Sequence, residues 1–133
     1  MKVARGCVLG VSLAVAACSP RPAVDRVYSG NVVRGRFVEP GAYAAFLRGV
    51  IAEAEGRDRD ALVEYAEADK LDPGSPEIDT RIGEVRCRLD PGDATAQSRF
   101  AHALSLDPRY APAWQANAKC AVARGSKAAR SRN

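Results

Sequence analysis

Residues 61–73 read ALVEYAEADKLDP and residues 96–108 read AQSRFAHALSLDP. Leu71-Asp72-Pro73 returns as Leu106-Asp107-Pro108, 35 residues later. Counting back from each Pro, Ala68 and Ala103 stand five residues before it, Tyr65 and Phe100 eight before, and Ala61 and Ala96 twelve before. Self-similarity at such a period is a property of arrays of small supersecondary units, so it outranks any element-by-element reading. A Pro at the end of each stretch stops a helix, because it lacks the N–H and clashes with the preceding turn.

These spacings resemble the second helix of a tetratricopeptide repeat, a pair of antiparallel helices of about 34 residues. The first helices resemble it too. Gly49 stands in the eighth slot of one unit with Gly56 at its inter-helix turn, and Gly83 stands in the eighth slot of the next. Trp114 and Ala118 occupy the fourth and eighth slots of a third, with Gly125 at its turn. Asp58 and Asp93 can cap second helices, and Ser75-Pro76 offers a cap followed by Pro at the first helical position. The resemblance implies an all-α fold, a short right-handed array of about two and a half units. Its five antiparallel helices are expected near 42–55, 58–71, 76–89, 93–106 and 111–124. Two features depart from the family: Ala45 and Arg48 stand where large apolar residues are preferred, and Asp90-Pro91-Gly92 adds a residue in place of the usual Gly turn.

The 133 residues allow one small domain with a leader or tail. With 47% hydrophobic but only 6% aromatic residues and 25 alanines, the composition suits closely packed helices. The formal charge of +4 is unevenly spread, since residues 18–118 hold 13 basic and 16 acidic side chains. Lys119, Arg124, Lys127, Arg130 and Arg132 crowd the last fifteen residues without one acid. A mildly acidic body with a short basic tail at 126–133 gives no nucleic-acid footprint.

Met1 to Arg5 is cationic and is followed by an apolar stretch from Cys7 to Ala17. The pattern reads as an export signal, residues 1–17, too short to remain as a spanning helix. Val15-Ala16-Ala17-Cys18 resembles the lipobox of bacterial lipoproteins, in which the Cys thiol takes a diacylglycerol before cleavage. That resemblance makes Cys18 the lipidated, palmitate-type anchor point, the alternative being an ordinary signal with a chance Cys. Ser19 in place of Asp favours, by the same resemblance, the outer membrane and its periplasmic side. Residues 18–41, with Pro20, Pro22, Gly30, Gly35 and Pro40, read as a tether. Val32, Val33, Phe37 and Val38 around Arg34-Gly35-Arg36 could equally form a short hairpin.

Chemistry for catalysis is missing from the pattern. His102 has no Ser, Cys or carboxylate at a catalytic spacing and reads as an exposed polar residue. Glu53 with Glu55, and Asp58 with Asp60, point to different sides of a helix and read as solvated or capping groups. No phosphate loop, metal-ligand cluster or cofactor motif occurs. Cys87 and Cys120 lie about one repeat apart in first helices. They are either bridged in an oxidising compartment or buried as small apolar residues.

The expected function is therefore that of a non-enzymatic, lipid-anchored scaffold whose concave face of first helices takes a protein or peptide. By resemblance that face carries Tyr43, Phe46, Val50 and Glu53, then Thr80, Glu84, Cys87 and Arg88, then Gln115 and Lys119. The alternatives are a pilotin-like assembly subunit of an outer-membrane machine and a fragment of a longer array. Trp114, Ala118 and Ala121 face the place of a second helix in the third unit. Trp114 is expected to be covered by the folded-back tail, a second copy of the chain or a partner helix, unless it lies flat on Ala and Arg side chains.

Overall fold

The computed structural model describes residues 23–28 and 31–132. They divide into a hairpin unit that ends at Phe37 and a helical body that begins at Val38. The expected signal segment, residues 1–17, and Cys18 lie outside the described residues.

In the first unit β1 (Ala23–Tyr28) pairs antiparallel with β2 (Asn31–Arg36), in a register running from Ala23 opposite Arg36 to Tyr28 opposite Asn31. Of the two alternatives for this stretch, an extended linker and a short hairpin, the hairpin is present, but it is displaced. Arg34, Gly35 and Arg36 are strand rather than turn. Val24 and Val27 lie in β1 and Val32 and Val33 in β2, and the two strands are separated by only two residues, which is hairpin spacing. In that register Val27 stands opposite Val32 and Asp25 opposite Arg34.

The second unit is five helices: α1 (Pro40–Ala54), α2 (Asp58–Leu71), α3 (Pro76–Leu89), α4 (Ala94–Leu106) and α5 (Ala111–Arg130). α1 packs on α2 and α3 on α4, α2 also meets α3, and α5 lies against α3 and α4. Local chemistry sets the boundaries. Glu39 accepts the Ala42 N–H at 2.7 Å to cap α1, with Pro40 at the first turn. α1 ends on Gly56 at φ +73°, where the Gly56 N–H donates to the Glu53 carbonyl and the Arg57 N–H to the Ala52 carbonyl. That pair of bonds requires a left-handed residue, which glycine adopts without a Cβ penalty. Asp58 is not the cap of α2. Arg57 holds that place and Asp58 sits in the first turn, where an acid suits the positive end of the helix dipole.

The apolar interior forms two clusters. Ala45, Ala52, Ala61, Tyr65, Ala68, Ile78, Ile82 and Val85 make the first; Cys87, Ala96, Phe100, Ala116 and Cys120 make the second. In each, a ring from a second helix lies on a glycine of a first helix. A Cβ on Gly49 would sit 2.4 Å from the Tyr65 ring, and one on Gly83 would sit 2.6 Å from the Phe100 ring. The repeated aromatic of the two thirteen-residue stretches is thus the centre of each helix pair.

The turn between α3 and α4 shows why an extra residue is tolerated there. Asp90 accepts from the Gly92 N–H at 2.9 Å and from Lys127 Nζ at 2.6 Å. Asp93 caps α4 through the Thr95 N–H at 2.8 Å and takes Arg86 at 3.2 Å. The Lys127 ammonium and the Gly92 N–H hold the Asp90 carboxyl below its ordinary value of 3.8. Burial opposes the same shift at Asp93, but the Thr95 N–H and the Arg86 guanidinium outweigh it and its carboxyl is also lowered. Both groups bind a proton more weakly folded than unfolded, so their contribution is complete above about pH 4 and is lost as pH falls through the folded values. Asp93→Asn keeps a capping oxygen and removes the charge. We expect its stability to fall less steeply than wild type below about pH 4; parallel acid limbs in urea titrations would refute this.

α5 corrects two expectations. It runs through Gly125 without turning, and residues 126–130 of the supposed basic tail are helix. One glycine costs a helix about 1 kcal/mol, which the surrounding Ala121, Ala123, Ala128, Ala129, Lys127 and Arg130 offset as strong helix formers. Lys127 and Arg130 in the last turn also suit the negative end of the dipole.

Candidate functional site

Between α3 and α5 runs an open groove of about 290 Å³. α3 contributes Arg81, Glu84, Cys87 and Arg88; α5 contributes Ala116, Lys119, Cys120 and Ala123. Small residues on α5 leave the room, and long charged residues form the rims. At its floor Cys87 and Cys120 are joined in a disulfide, with their Cα atoms 5.9 Å apart. A smaller hollow of about 180 Å³ shares Arg81 and Glu84 and is closed by Glu77, Thr80, Tyr110 and Pro112. Burial first, and Glu77 second, push the Tyr110 phenol above its ordinary value, so it stays a neutral hydrogen-bonding group there.

The rim charges are largely organised already. Arg81 lies 3.3 Å from Glu84. Arg88 reaches Glu53 of α1 at 2.5 Å and Asp58 of α2 at 2.8 Å. Glu53 also accepts from the Tyr65 hydroxyl at 2.5 Å, so one carboxylate ties the first helix pair to α3. Its hydrogen bond is the main reason the Arg88 guanidinium is raised further above its ordinary value. Burial, then the bond to Glu53, pushes the Tyr65 phenol up, so it remains protonated well into alkaline solution. Lys119 is exposed and has no ion-pair partner among the described residues.

The structure brings Glu84, Cys87, Arg88 and Lys119 of the expected face together in the groove. It does not bring the rest. Thr80 is buried and its hydroxyl donates to the Pro76 carbonyl at 2.7 Å, so it offers nothing to a partner except part of the smaller hollow's wall. Phe46 and Val50 are half-buried against the first core, with the Phe46 ring centroid 5.5 Å from that of Tyr65. Glu53 is neither a solvated nor a capping group, because its carboxylate is only 13% exposed within the network above. Tyr43 and Gln115 are exposed but lie outside the groove lining.

A second polar cluster fastens α3 to α4. Asp79 is buried and accepts from Arg99 at 2.8 Å, and His102 Nδ1 lies 2.6 Å from its other oxygen. Arg99 also binds Asp69 of α2 at 2.7 Å. His102 is half-exposed, as read from sequence, but it does have a carboxylate partner that spacing along the chain concealed. The signal available was register: Asp79 falls where Ala45 and Trp114 stand in the neighbouring units, a position that faces the second helix. A charge there must find partners on that helix. Among the described residues no group of three or more His, Cys, Asp and Glu side chains is placed to hold a metal ion, and no helix is long and apolar enough to cross a membrane.

In comparison with known proteins, the chain matches no family model, no curated protein and no solved structure.

Proposed function

We propose that this protein is a non-catalytic scaffold of the bacterial cell envelope, a short tetratricopeptide-like array tethered by lipid at Cys18, which holds a protein or peptide in the groove between α3 and α5. The observation that carries the reading is the groove itself. Glu84, Arg88 and Lys119 come from two helices and stand around a floor of small residues and a disulfide. Such a floor accepts an apolar side chain while the rim orients polar groups of a bound chain, and a framework held by ion pairs loses little entropy on binding. Support for the array comes from the 35-residue recurrence and from the two equivalent ring-on-glycine contacts. Support for the tether comes from Val15-Ala16-Ala17-Cys18. Acyl chains on Cys18 would hold the domain at the membrane, since each buried methylene contributes about 0.8 kcal/mol. The outer membrane, on its periplasmic side, is the favoured location.

Charge reversal tests the groove. Arg81→Glu with Lys119→Glu inverts both rims on half-exposed and exposed positions, whereas Lys70→Glu changes an exposed charge on α2. A partner recovered with the wild-type chain from detergent-solubilised envelope should be lost with the double variant and kept with Lys70→Glu, at unchanged circular dichroism. Equal recovery with all three would end the groove reading. The tether is tested separately: Cys18→Ser is expected to abolish incorporation of a fatty-acid analogue and to leave an uncleaved or soluble product. Undiminished labelling of that variant would remove the lipid anchor from the proposal.

A further inference from the structure

α1, α3 and α5 each present, in register, a residue pair toward a second helix: Ala45 with Gly49, Asp79 with Gly83, and Trp114 with Ala118. The first two pairs are buried beneath α2 and α4. The third is bare. Trp114 is 56% exposed, Ala118 and Ala121 are exposed, Val122 is 71% exposed, and a Cβ on Gly125 would meet nothing within 4 Å. The tail expected to fold back over Trp114 instead continues α5 to Arg130. Trp114 Nε1 donates to the Pro108 carbonyl at 3.0 Å, so its polar edge is satisfied and its exposed surface is apolar and held in place.

We infer that this outer face of α5 docks an amphipathic helix of a partner protein, apolar along one side and acidic along its flanks. Charge selects the occupant. The stripe from Trp114 to Gly125 is bordered by Lys119 on one side and Arg124 on the other, while Lys127 is turned away onto Asp90, and the sequence has no acid after Asp107. A second copy would bring another α5 with the same basic flanks, while the inner faces of its α2 and α4 are already occupied. Because α5 does not turn at Gly125 as α1 does at Gly56, no helix is delivered onto the stripe at the spacing of the first two pairs. The chain carries its own example of the required chemistry: α2 lays Ala61, Tyr65 and Ala68 on α1 and bears Asp58, Asp60, Glu64, Glu67 and Asp69. Ala118 has the Cβ that Gly49 and Gly83 lack, so the central side chain of the incoming helix is smaller than a tyrosine ring.

The probe is a synthetic peptide of residues 58–71 carrying Tyr65→Leu, compared with the same peptide in which its five acids are replaced by Asn and Gln. Trp114 is the only tryptophan, so its emission and acrylamide quenching report on the stripe. The acidic peptide is expected to shift the emission of the full chain to the blue and to reduce quenching. The neutral peptide should bind about tenfold more weakly or worse. Ala118→Glu, at an exposed position, should weaken the acidic peptide by at least about tenfold with circular dichroism and thermal midpoint unchanged. No shielding by the acidic peptide, or equal affinity for both peptides, would overturn the inference. Shielding that rises with protein concentration alone would replace it with self-association. A response to anionic phosphatidylglycerol vesicles but not to peptide would replace it with a lipid surface.

Discussion

Phe100→Ala is expected to destabilise the protein by about 3 to 5 kcal/mol, the range for truncating a fully buried phenylalanine. Phe100 is 1% exposed and, among the described residues, is the one large buried side chain of the second core, where its neighbours are Cys87, Ala96, Ala116 and Cys120. None of these can extend to fill the space, so the cavity term is close to its maximum. Against a total of about 5 to 15 kcal/mol for a small domain, the loss is a large fraction. Urea denaturation measures it, and a change below about 1 kcal/mol would show that the ring is not packed as described. Gly83 supplies an internal check. Gly83→Ala in the wild type drives a Cβ to 2.6 Å from the ring and should cost about 1 to 3 kcal/mol by overpacking. In the Phe100→Ala background the same methyl enters empty space, so the two costs should add to less than their sum.

The double variant Cys87→Ser, Cys120→Ser is expected to lose about 3 to 4 kcal/mol, the chain-entropy value for a link across 33 residues. The bond joins α3 to α5, which otherwise meet through small side chains, so the reduced protein should also hold the groove less rigidly. Thiol counting on denatured, unreduced protein is the direct control. Peptide-resolved labelling that finds Cys87 and Cys120 both free would mean that the link does not form, and the stability difference would then shrink to that of two buried Cys→Ser changes.

What could be read from the sequence was set by neighbours along the chain. α2 ends just before Pro73, and α3 begins on Pro76 after its N-cap Ser75, because caps and breakers act within a turn or two. The aromatic of each thirteen-residue stretch was legible for the same reason. Glu53 was not, since its partner Arg88 is 35 residues away and only the stacking of α1 and α3 brings them together. Asp79 and His102, 23 residues apart, were hidden in the same way. Thr80 was misplaced by reading slots without the rotation of the helix, which turns its hydroxyl onto the Pro76 carbonyl. The end of α5 failed for a local reason: a lone glycine in an alanine-rich run is a turn only if the flanking residues also disfavour helix. In the hairpin Val32 and Val33 were recognised as strand formers, but the hairpin was centred on Gly35, which lies inside β2, and β1 was missed.

α3 has a consequence for cooperativity. Its Ile78, Ile82 and Val85 belong to one apolar cluster and its Cys87 to the other, so a helix of 14 residues is the common wall of two small interiors that share no side chain. Opening of α1 and α2 leaves the second interior intact, and fraying of α5 leaves the first. Loss of α3 dissolves both at once. In a nearest-neighbour architecture the free energy of partial unfolding is therefore graded, lowest at the outer helices and approaching the global value only at α3. The backbone amides of that helix are expected to exchange most slowly, and a partner that grips Arg81 and Arg88 would hold the helix that walls both interiors.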